Sequence, residues 1–550
     1  MHKIKSISRY FFSILETYFL IVKHYYLKTN FYDQKISKNI PTKYIYKPSP
    51  HIISCLISFN KKKFKIENLS LNSIWTISSE KNIEFKNLHN FLWLTALDIK
   101  TSKTSTQNII ENWIENNKKF NKKTWTIDIL SKRIISWISN TNLSLDSASQ
   151  SYKNKFILSI TKQSNHLINN IENEKDYEKK IIGCAALILI SLTFKEYKKN
   201  FLPTLEILKK ILKIHFDNEG FPKSRNPQEL LECLKYFILI REWIKESQNQ
   251  IPDYIDRIIY NSGSSFMFIS NKIKKLPLFN GANELDSQEF RTYLKNNNYT
   301  FKEKFIEKGG YAILSGKKIL LIMDIGSSPE KKFSKNYQCG CLSFEIISGN
   351  TKLICNSGFY FKEKNKLNII SKSTAAHSTL YLNNHSSCTF KKTSFYNNNY
   401  NSELLTSLKI QSKKINIEKE FDQVIASHDG YQKKYGFIHE RKIQFFKNKN
   451  RFFGEDVLIA KKQFKNIKFG IRFHIYPGTK VVKTQEKNTI LLSLVNGEGW
   501  RFNCPEYEVF IENGIFLGNK NKLIKNENIF ISDITHSENQ SIKWGFEKIS

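Results

Sequence analysis

The spacing of the apolar residues changes at about residues 275–305, and this change constrains the fold more than any other feature. Before it, from about 85 to 275, apolar residues recur every three or four positions, as Ile110, Trp113 and Ile114 do. That spacing is typical of amphipathic helices. Several such segments follow one another with short connections, which indicates helix hairpins that stack or curl round a central cavity.

After about residue 300 the apolar residues fall in short segments rich in Val, Ile, Phe, Tyr and Thr, for example 342–346 and 490–494. Turn sequences such as Ser348-Gly349-Asn350 separate them. Many short strands at this spacing predict a β-sandwich or a related antiparallel architecture. The sequence therefore predicts a helical part followed by an antiparallel β part.

The chain is strongly basic: its 550 residues include 86 Lys and Arg against 50 Asp and Glu, a formal net charge of +36. One explanation is codon bias in an AT-rich genome, which favours Lys, Asn and Ile. The other is attraction to a polyanion such as nucleic acid, anionic lipid or an acidic polysaccharide. No sequence signature of a nucleic-acid-binding module accompanies the charge, so we expect no nucleic-acid partner.

The eight cysteines form no Cys-x-x-Cys pair and mostly lie in apolar stretches, which predicts buried free thiols and no zinc ribbon. At the N-terminus, Lys3, Lys5 and Arg9 precede an aromatic-rich apolar segment at 10–22 that Glu16 interrupts. This segment is compatible with a signal peptide or with a basic interfacial helix that contacts a membrane surface. No apolar run is long enough to predict a membrane-spanning helix.

The most specific motifs lie between residues 309 and 382 and follow one another in a fixed order. They are Gly309-Gly310-Tyr311-Ala312, Asp324-Ile325-Gly326, Leu342-Ser343-Phe344-Glu345, Asn356-Ser357-Gly358 and Thr374-Ala375-Ala376-His377-Ser378-Thr379. This series resembles the C-terminal domain of the heparinase II/III-like family, and Gly220–Pro227 and Arg472–Pro477 resemble that family's proteobacterial branch. The likeness covers about residues 85–545.

The resemblance implies an α+β chain of two domains, an N-terminal α/α toroid of helical hairpins followed by a C-terminal antiparallel β-sandwich. We expect an N-terminal segment at 1–84, the toroid at 85–290 and the sandwich at 300–550. The implied activity is that of a carbon–oxygen lyase, which cleaves glycosaminoglycan-like or alginate-like uronic-acid polysaccharides by β-elimination. The alternative is a non-catalytic relative that binds or helps process an envelope polysaccharide. Either function points to the periplasm or cell envelope, with the cytoplasm as the alternative.

A lyase of this kind must neutralise the uronate carboxylate, remove the C5 proton and protonate the leaving oxygen. The candidates for these catalytic steps, by residue type and by the resemblance, are His377, His428, Tyr431, Asn165 and His166. The candidates for substrate binding are Arg225, Asn226, Gln338, Asn336, Arg472 and His474. For each, the competing interpretation is structural: a core histidine, a turn, a helix cap or a solvated helix face.

Some relatives bind zinc through three residues, which in this chain are Gln338, Asn356 and His377. His and Asp are expected at the first two positions, and both are neutral amides here. Amides bind zinc poorly, and a single histidine does not complete a site. We therefore predict no metal and no cofactor.

Overall fold

The structure is a computed structural model, and it describes residues 18–19, 21–57, 75, 82–97, 103–270, 274–302, 305–362, 365–392, 400–463, 466–519 and 522–550. Lys3, Lys5 and Arg9, on which the N-terminal prediction rests, lie outside these ranges. Across the ranges, none of the helices combines the length and the hydropathy that crossing a bilayer requires.

The chain divides into two compact units. The first unit consists of Met1–Ile214 and Cys233–Ile259, and the second of His215–Glu232 and Tyr260–Ser550. The predicted order of structure is confirmed, because helices dominate as far as Asn296 and antiparallel strands follow from Glu307. The domain limits expected at 84, 290 and 300 stay predictions.

The sequence predicts helices from about residue 85 to 275, and the structure also has helices before and after that range. The helices up to residue 296 are Asn30–Ile36, Pro50–Leu56, Asn82–His89, Lys103–Asn116, Ile127–Ser139, Thr141–Ser144, Gln150–Asn170, Tyr177–Thr193, Phe201–His215, Pro227–Glu246, Asp253–Ile269 and Gln288–Asn296. Tyr177–Thr193 differs from the rest: every residue from Ile181 to Thr193 is buried, and Asp176 caps its N-terminus. A helix that is apolar on all sides belongs in the centre of a helical unit.

The strands of the second unit are labelled β1–β19 in chain order. They are β1 (Glu307–Lys308), β2 (Tyr311–Ser315), β3 (Ile319–Asp324), β4 (Phe344–Ser348), β5 (Thr351–Cys355), β6 (Leu380–Leu382), β7 (Thr389–Lys392), β8 (Tyr400–Thr406), β9 (Ile410–Ile417), β10 (Phe421–His428), β11 (Phe437–Phe446), β12 (Arg451–Ala460), β13 (Lys468–Ile475), β14 (Lys480–Lys483), β15 (Thr489–Ser493), β16 (Gly499–Asn503), β17 (Phe510–Phe516), β18 (Ile524–Ile534) and β19 (Asn539–Lys548). Two short helices, Lys366–Lys372 and Gln432–Tyr435, interrupt them.

These strands form two large antiparallel sheets. The first has the order β1-β2-β3-β4-β5-β13-β18-β17, with β6 also paired to β13, and the second has the order β14-β15-β16-β19-β12-β11-β10-β9. Strands β7 and β8 form a separate pair. Strand β13 joins distant parts of the chain, since it pairs with β5, β6 and β18.

The two sheets share one aromatic core. The ring of Phe473, on the first sheet, lies 4.8 Å from that of Trp544 on the second, and Phe344 stacks on Trp544 at 5.4 Å. All three side chains are buried, and each contributes about 1.5–3 kcal/mol of hydrophobic stabilisation.

A buried carboxylate whose two oxygens both accept hydrogen bonds lies beside this core. Asp456 accepts hydrogen bonds from Arg441 and Trp544, and its Oδ1 lies 2.7 Å from Nε2 of His439. His439 is itself fully buried, so this imidazole is part of the interior of the sandwich.

Candidate functional site

Arg225 is the centre of a buried polar cluster in the second unit. It precedes the helix Pro227–Glu246 and has a φ of 63°, which is rare for a residue other than glycine. All five of its N–H donors have protein acceptors. These are the carbonyl oxygens of Gly309, Gly310, Gly326 and Ser327, at 3.0–3.3 Å, and Oδ1 of Asp324 at 2.5 Å.

The guanidinium leaves no room for a side chain at Gly326, because a Cβ there would lie 2.3 Å from Arg225 Cζ. This close approach explains the glycine of the Asp-x-Gly motif. Burial lowers the pKa of Arg225, but the Asp324 carboxylate more than offsets this and holds the pKa above its ordinary value. A substrate that binds this guanidinium has to replace one of its protein acceptors.

The second oxygen of Asp324 joins the cluster to Asn280 and Tyr311. Nδ2 of Asn280 donates to Asp324 Oδ2 at 3.2 Å and to the Tyr311 hydroxyl at 2.7 Å. The Tyr311 hydroxyl in turn donates to the backbone carbonyl of Arg225. Burial raises the pKa of Tyr311, so its proton stays in place at neutral pH.

Side-chain amides surround the adjacent Gly281, and we call Asn226, Asn280, Asn336 and Gln338 the amide cluster. Gly281 has a φ of 94°, and a Cβ there would lie 2.5 Å from Asn336 Cβ and 3.1 Å from Asn226 Nδ2. Its N–H donates to Gln338 Oε1 at 2.9 Å. Only a glycine lets these side chains approach so closely.

The members of the amide cluster differ in how many hydrogen bonds their side chains make within the protein. Gln338 also donates to the carbonyls of Gly358 and Ser371, so it is fully engaged. Asn226 caps the helix Pro227–Glu246 through Oδ1. The half-buried Asn336 has no side-chain hydrogen bond among the residues that the structure describes. Asn336 is therefore the member best able to bind a ligand.

An open groove of about 670 Å³ lies beside Arg225 and carries charges of both signs. We call it the mixed-charge groove. Its charged lining residues are Asp217, Glu219, Lys223, Arg225, Glu307, Glu330 and Lys413. Several of these charges are engaged: Glu219 accepts from the Gly309 N–H at 3.0 Å, and Glu307 pairs with Lys413.

Comparison with protein families matches residues 300–545 to the family described as Heparinase II/III-like, C-terminal. Residues 300–545 are therefore a heparinase II/III-like C-terminal domain. No curated protein sequence matches the chain.

Solved structures of heparinases share the fold of this chain. A heparinase III structure aligns with a TM-score of 0.69 at 15% identity, over 97% of this chain and 91% of that one. A second heparinase III aligns with a TM-score of 0.65 at 14% identity, covering 93% and 85%. A heparan sulfate lyase from Pedobacter heparinus aligns at 0.59 and 13% identity, covering 94% and 87%.

The residues at the family's zinc positions do not fit a metal ion in this chain. Gln338 is fully engaged, and Asn356 Oδ1 accepts from the Ser378 N–H at 3.0 Å. Nδ1 of His377 lies 2.8 Å from the Ser373 carbonyl oxygen, and burial lowers the pKa of His377 to about 4. No group of three or more His, Cys, Asp or Glu that suits a metal occurs in the described ranges. One imidazole and two neutral amides are a poor donor set for zinc.

His428 and Tyr431 are buried inside the sandwich, within the heparinase II/III-like residues 300–545. Nδ1 of His428 accepts from the Gly430 N–H at 3.0 Å, and burial lowers the pKa of this imidazole. The Tyr431 hydroxyl donates to the Leu380 carbonyl at 3.1 Å, and burial raises its pKa. Their catalytic roles stay predictions, and in this conformation neither side chain reaches solvent.

Arg472 and His474 lie on strand β13 and both have protein partners. Nε of Arg472 donates to Glu512 at 2.9 Å, and Nε2 of His474 lies 3.0 Å from the Ala375 carbonyl oxygen. Burial lowers the pKa of His474 to about 3. Their roles in substrate binding stay predictions.

Asn165 and His166 belong to the first unit, on the helix Gln150–Asn170. Nδ2 of Asn165 donates to the carbonyls of Ile36 and Lys38, at 2.7 and 2.8 Å. Nδ1 of His166 lies 2.7 Å from the Tyr32 hydroxyl, and burial lowers the pKa of His166 to about 3. Both side chains hold the segment that contains the helix Asn30–Ile36, and their catalytic roles stay predictions.

Sequence reasoning missed Asp324 and Asn280 as members of the site, although the Asp-x-Gly motif pointed to the first. It also missed His215, whose Nε2 lies 2.5 Å from Glu229 Oε1, while Ser224 donates to the other oxygen of Glu229. The sequence signal for the contact of His215 with Glu229 was the spacing of Asn226 and Glu229. Asn226 is the N-cap of the helix, and Glu229 is the third helical residue, where an acidic side chain is common.

Proposed function

We propose that this chain is a polysaccharide lyase that cleaves a uronic-acid-containing polysaccharide by β-elimination. The observation that carries the proposal is the heparinase III fold over 97% of the chain, at a TM-score of 0.69. The family match over residues 300–545 supports the same class. The expected partner is an anionic polysaccharide, and the periplasm or cell envelope is the proposed site of action.

We assign binding of the uronate carboxylate to the amide cluster, with Asn336 as the principal donor. The C5 proton of a uronate becomes acidic only when the carboxylate is neutralised, because its removal places negative charge on the carboxylate oxygens. Amide N–H groups stabilise that charge in the transition state without carrying a charge of their own. Asn336 suits the role because its neighbours Gln338 and Asn226 are fixed by backbone groups.

His377 is the proposed acceptor of the C5 proton. Its Nδ1 lies within hydrogen-bond distance of the Ser373 carbonyl oxygen, an acceptor, which assigns the ring proton to Nδ1. Nε2 then keeps an unshared electron pair and has no hydrogen-bond partner among the described residues. Since its pKa is about 4, the ring is neutral at pH 7. The ring is buried, so access to Nε2 requires local opening, and entry of water would raise the pKa towards its ordinary value.

The test measures the ultraviolet absorbance of an unsaturated uronate product. Purified chain is incubated with hyaluronan, heparan sulfate and alginate, and Asn336→Asp is compared with Asn496→Asp. The first variant places a carboxylate beside the substrate carboxylate, whereas the second makes the same change at an exposed turn.

We expect a rising signal with at least one polymer and at least about a hundredfold loss of rate, equivalent to about 2.7 kcal/mol, in Asn336→Asp alone. Binding without any product across the panel would contradict catalysis and favour a non-catalytic polysaccharide-binding relative.

A further inference from the structure

A second groove, in another part of the second unit, carries only positive charge. It encloses about 610 Å³ between the helix Gln288–Asn296 and the segment 298–301. Its charged lining residues are Lys274, Arg291 and Lys295, and none of its described lining residues is acidic. We call it the basic groove. The mixed-charge groove beside Arg225, in contrast, is lined by four carboxylates.

Aromatic and polar side chains complete the lining of the basic groove. Tyr299 and Phe301 are stacked, with ring centroids 6.5 Å apart, and Thr292, Asn298 and Thr300 supply hydroxyl and amide groups. An aromatic face packs against the C–H face of a pyranose, and hydroxyls and amides bond to its hydroxyl groups. The cations pair with carboxylates or sulfates.

The walls of the basic groove are held by contacts within the second unit. Phe301 lies directly against Gly263, where a Cβ would approach the ring to 2.1 Å. The Tyr299 N–H donates to the Leu294 carbonyl at 2.9 Å, and Arg291 donates to the Ser270 carbonyl at 2.6 Å. A groove of fixed shape binds a stiff polymer at a lower entropic cost than a mobile one.

Lys274 also lines a smaller hollow of about 220 Å³, together with Lys275, Lys352 and Tyr476. In this hollow Lys275 donates to the Tyr476 hydroxyl at 2.8 Å and pairs with Glu284, and Lys352 pairs with Glu345. Lys274 lines both depressions, so the hollow lies next to the basic groove. A linear polysaccharide has the length to occupy both.

We propose that the basic groove is a secondary binding site for an acidic polysaccharide, separate from the amide cluster. The choice of a polysaccharide rests on the proposed function, whereas the positive charge and the aromatic lining are independent of it. Such a site holds the polymer on the protein between cleavage events and raises its local concentration.

The experiment measures equilibrium binding of hyaluronan and heparan sulfate oligosaccharides to the full chain at several salt concentrations. Lys274→Glu/Lys295→Glu is compared with Lys419→Glu/Lys449→Glu. All four lysines are exposed and both pairs change the net charge equally. We expect the groove pair to bind at least tenfold more weakly, about 1.4 kcal/mol, with a shallower salt dependence, and the control pair to bind within about threefold of the parent chain.

The same samples are assayed for unsaturated product, so failure of cleavage and failure of groove binding are recorded separately. Equal affinities for the two variant pairs would overturn the proposal. Single-stranded DNA and phosphatidylserine vesicles are measured in parallel. The assigned ligand class is wrong if DNA or the vesicles bind more tightly than every polysaccharide and if that binding is lost only in Lys274→Glu/Lys295→Glu.

Discussion

Arg225 and Asp324 form a buried ion pair, with Nη2 of the guanidinium 2.5 Å from Oδ1 of the carboxylate and side chains only 10% and 1% exposed. The two residues are 99 positions apart in the sequence. The pair ties the loop before the helix Pro227–Glu246 to the end of β3, and so fixes the position of Asn226 in the amide cluster.

We predict that Asp324→Asn lowers the free energy of unfolding of the second unit by about 3–5 kcal/mol, because it leaves a buried guanidinium without its counter-charge. Arg225→Lys should destabilise by a similar amount, since an ammonium cannot reproduce five fixed donors. Denaturant unfolding followed by tryptophan fluorescence measures both. Asp256→Asn is the control, because the Asp256 carboxylate that pairs with Arg241 is 53% exposed and the pair should contribute less than about 1 kcal/mol. Equal effects at the two sites would contradict this account.

Gly281→Ala should reduce the proposed lyase activity far more than Gly497→Ala. Both glycines have positive φ, 94° and 88°, so both substitutions strain the backbone by about 1–2 kcal/mol. The added methyl group meets Asn336 and Asn226 at Gly281, whereas at Gly497 it meets no atom of the described part of the chain within 4 Å. The rate of product formation is compared between the two variants at the same concentration of folded protein. The difference then measures the effect of displacing Asn336, because the backbone strain is similar in both. Similar rates for the two variants would show that product formation does not depend on the position of Asn336.

The pKa values of His377 and His474 predict a loss of stability in mild acid. Burial lowers them to about 4 and about 3, below the value of about 6.5 in the unfolded chain. Between pH 6.5 and 4 the unfolded state therefore binds more protons than the folded state, and stability falls as the pH falls. Each histidine contributes a slope of up to about 1.4 kcal/mol per pH unit.

Unfolding free energies at pH 7, 6, 5 and 4.5 measure this slope. His377→Gln should reduce the slope by up to about 1.4 kcal/mol per pH unit, whereas His536→Gln, at an exposed position, should leave it unchanged. A slope that is the same in both variants would place the acid sensitivity elsewhere.

We predict that the chain as purified contains less than about 0.1 zinc per molecule, because Gln338 and Asn356 offer amides where zinc needs imidazole and carboxylate. Gln338→His/Asn356→Asp, which supplies both groups beside His377, should bind zinc. Gln338→His alone is the control. Metal analysis by mass spectrometry, together with circular dichroism to confirm folding, measures the content. One zinc per molecule in the unmodified chain would contradict the prediction.

The fold could be predicted from the sequence because local patterns and the ordered motifs agreed. The helical spacing of Ile110, Trp113 and Ile114 is realised in the helix Lys103–Asn116, where all three are buried. The segments at 342–346 and 490–494 largely coincide with β4 and β15. The connections of β13 to β5, β6 and β18 could not be predicted, because pairing between distant strands leaves no local pattern.

The site was less predictable, because residue type shows what a side chain can do and not where its hydrogen bonds go. Arg225 suits a carboxylate or sulfate ligand, yet five acceptors from distant parts of the chain occupy it. His428 and Tyr431 look like an acid–base pair in the sequence but are buried in the sandwich. Asp324 and Gly326 of the Asp-x-Gly motif both bind Arg225, a contact that becomes visible only in the folded structure.

Mass spectrometry of products formed in ¹⁸O-labelled water distinguishes β-elimination from hydrolysis. Elimination breaks the glycosidic bond without adding water, so we predict oligosaccharides with an unsaturated uronate at the non-reducing end and no ¹⁸O from the cleavage. Products that gain one labelled water per cleavage would identify hydrolysis and contradict the lyase assignment. Intact polymer across the whole panel would contradict catalysis itself.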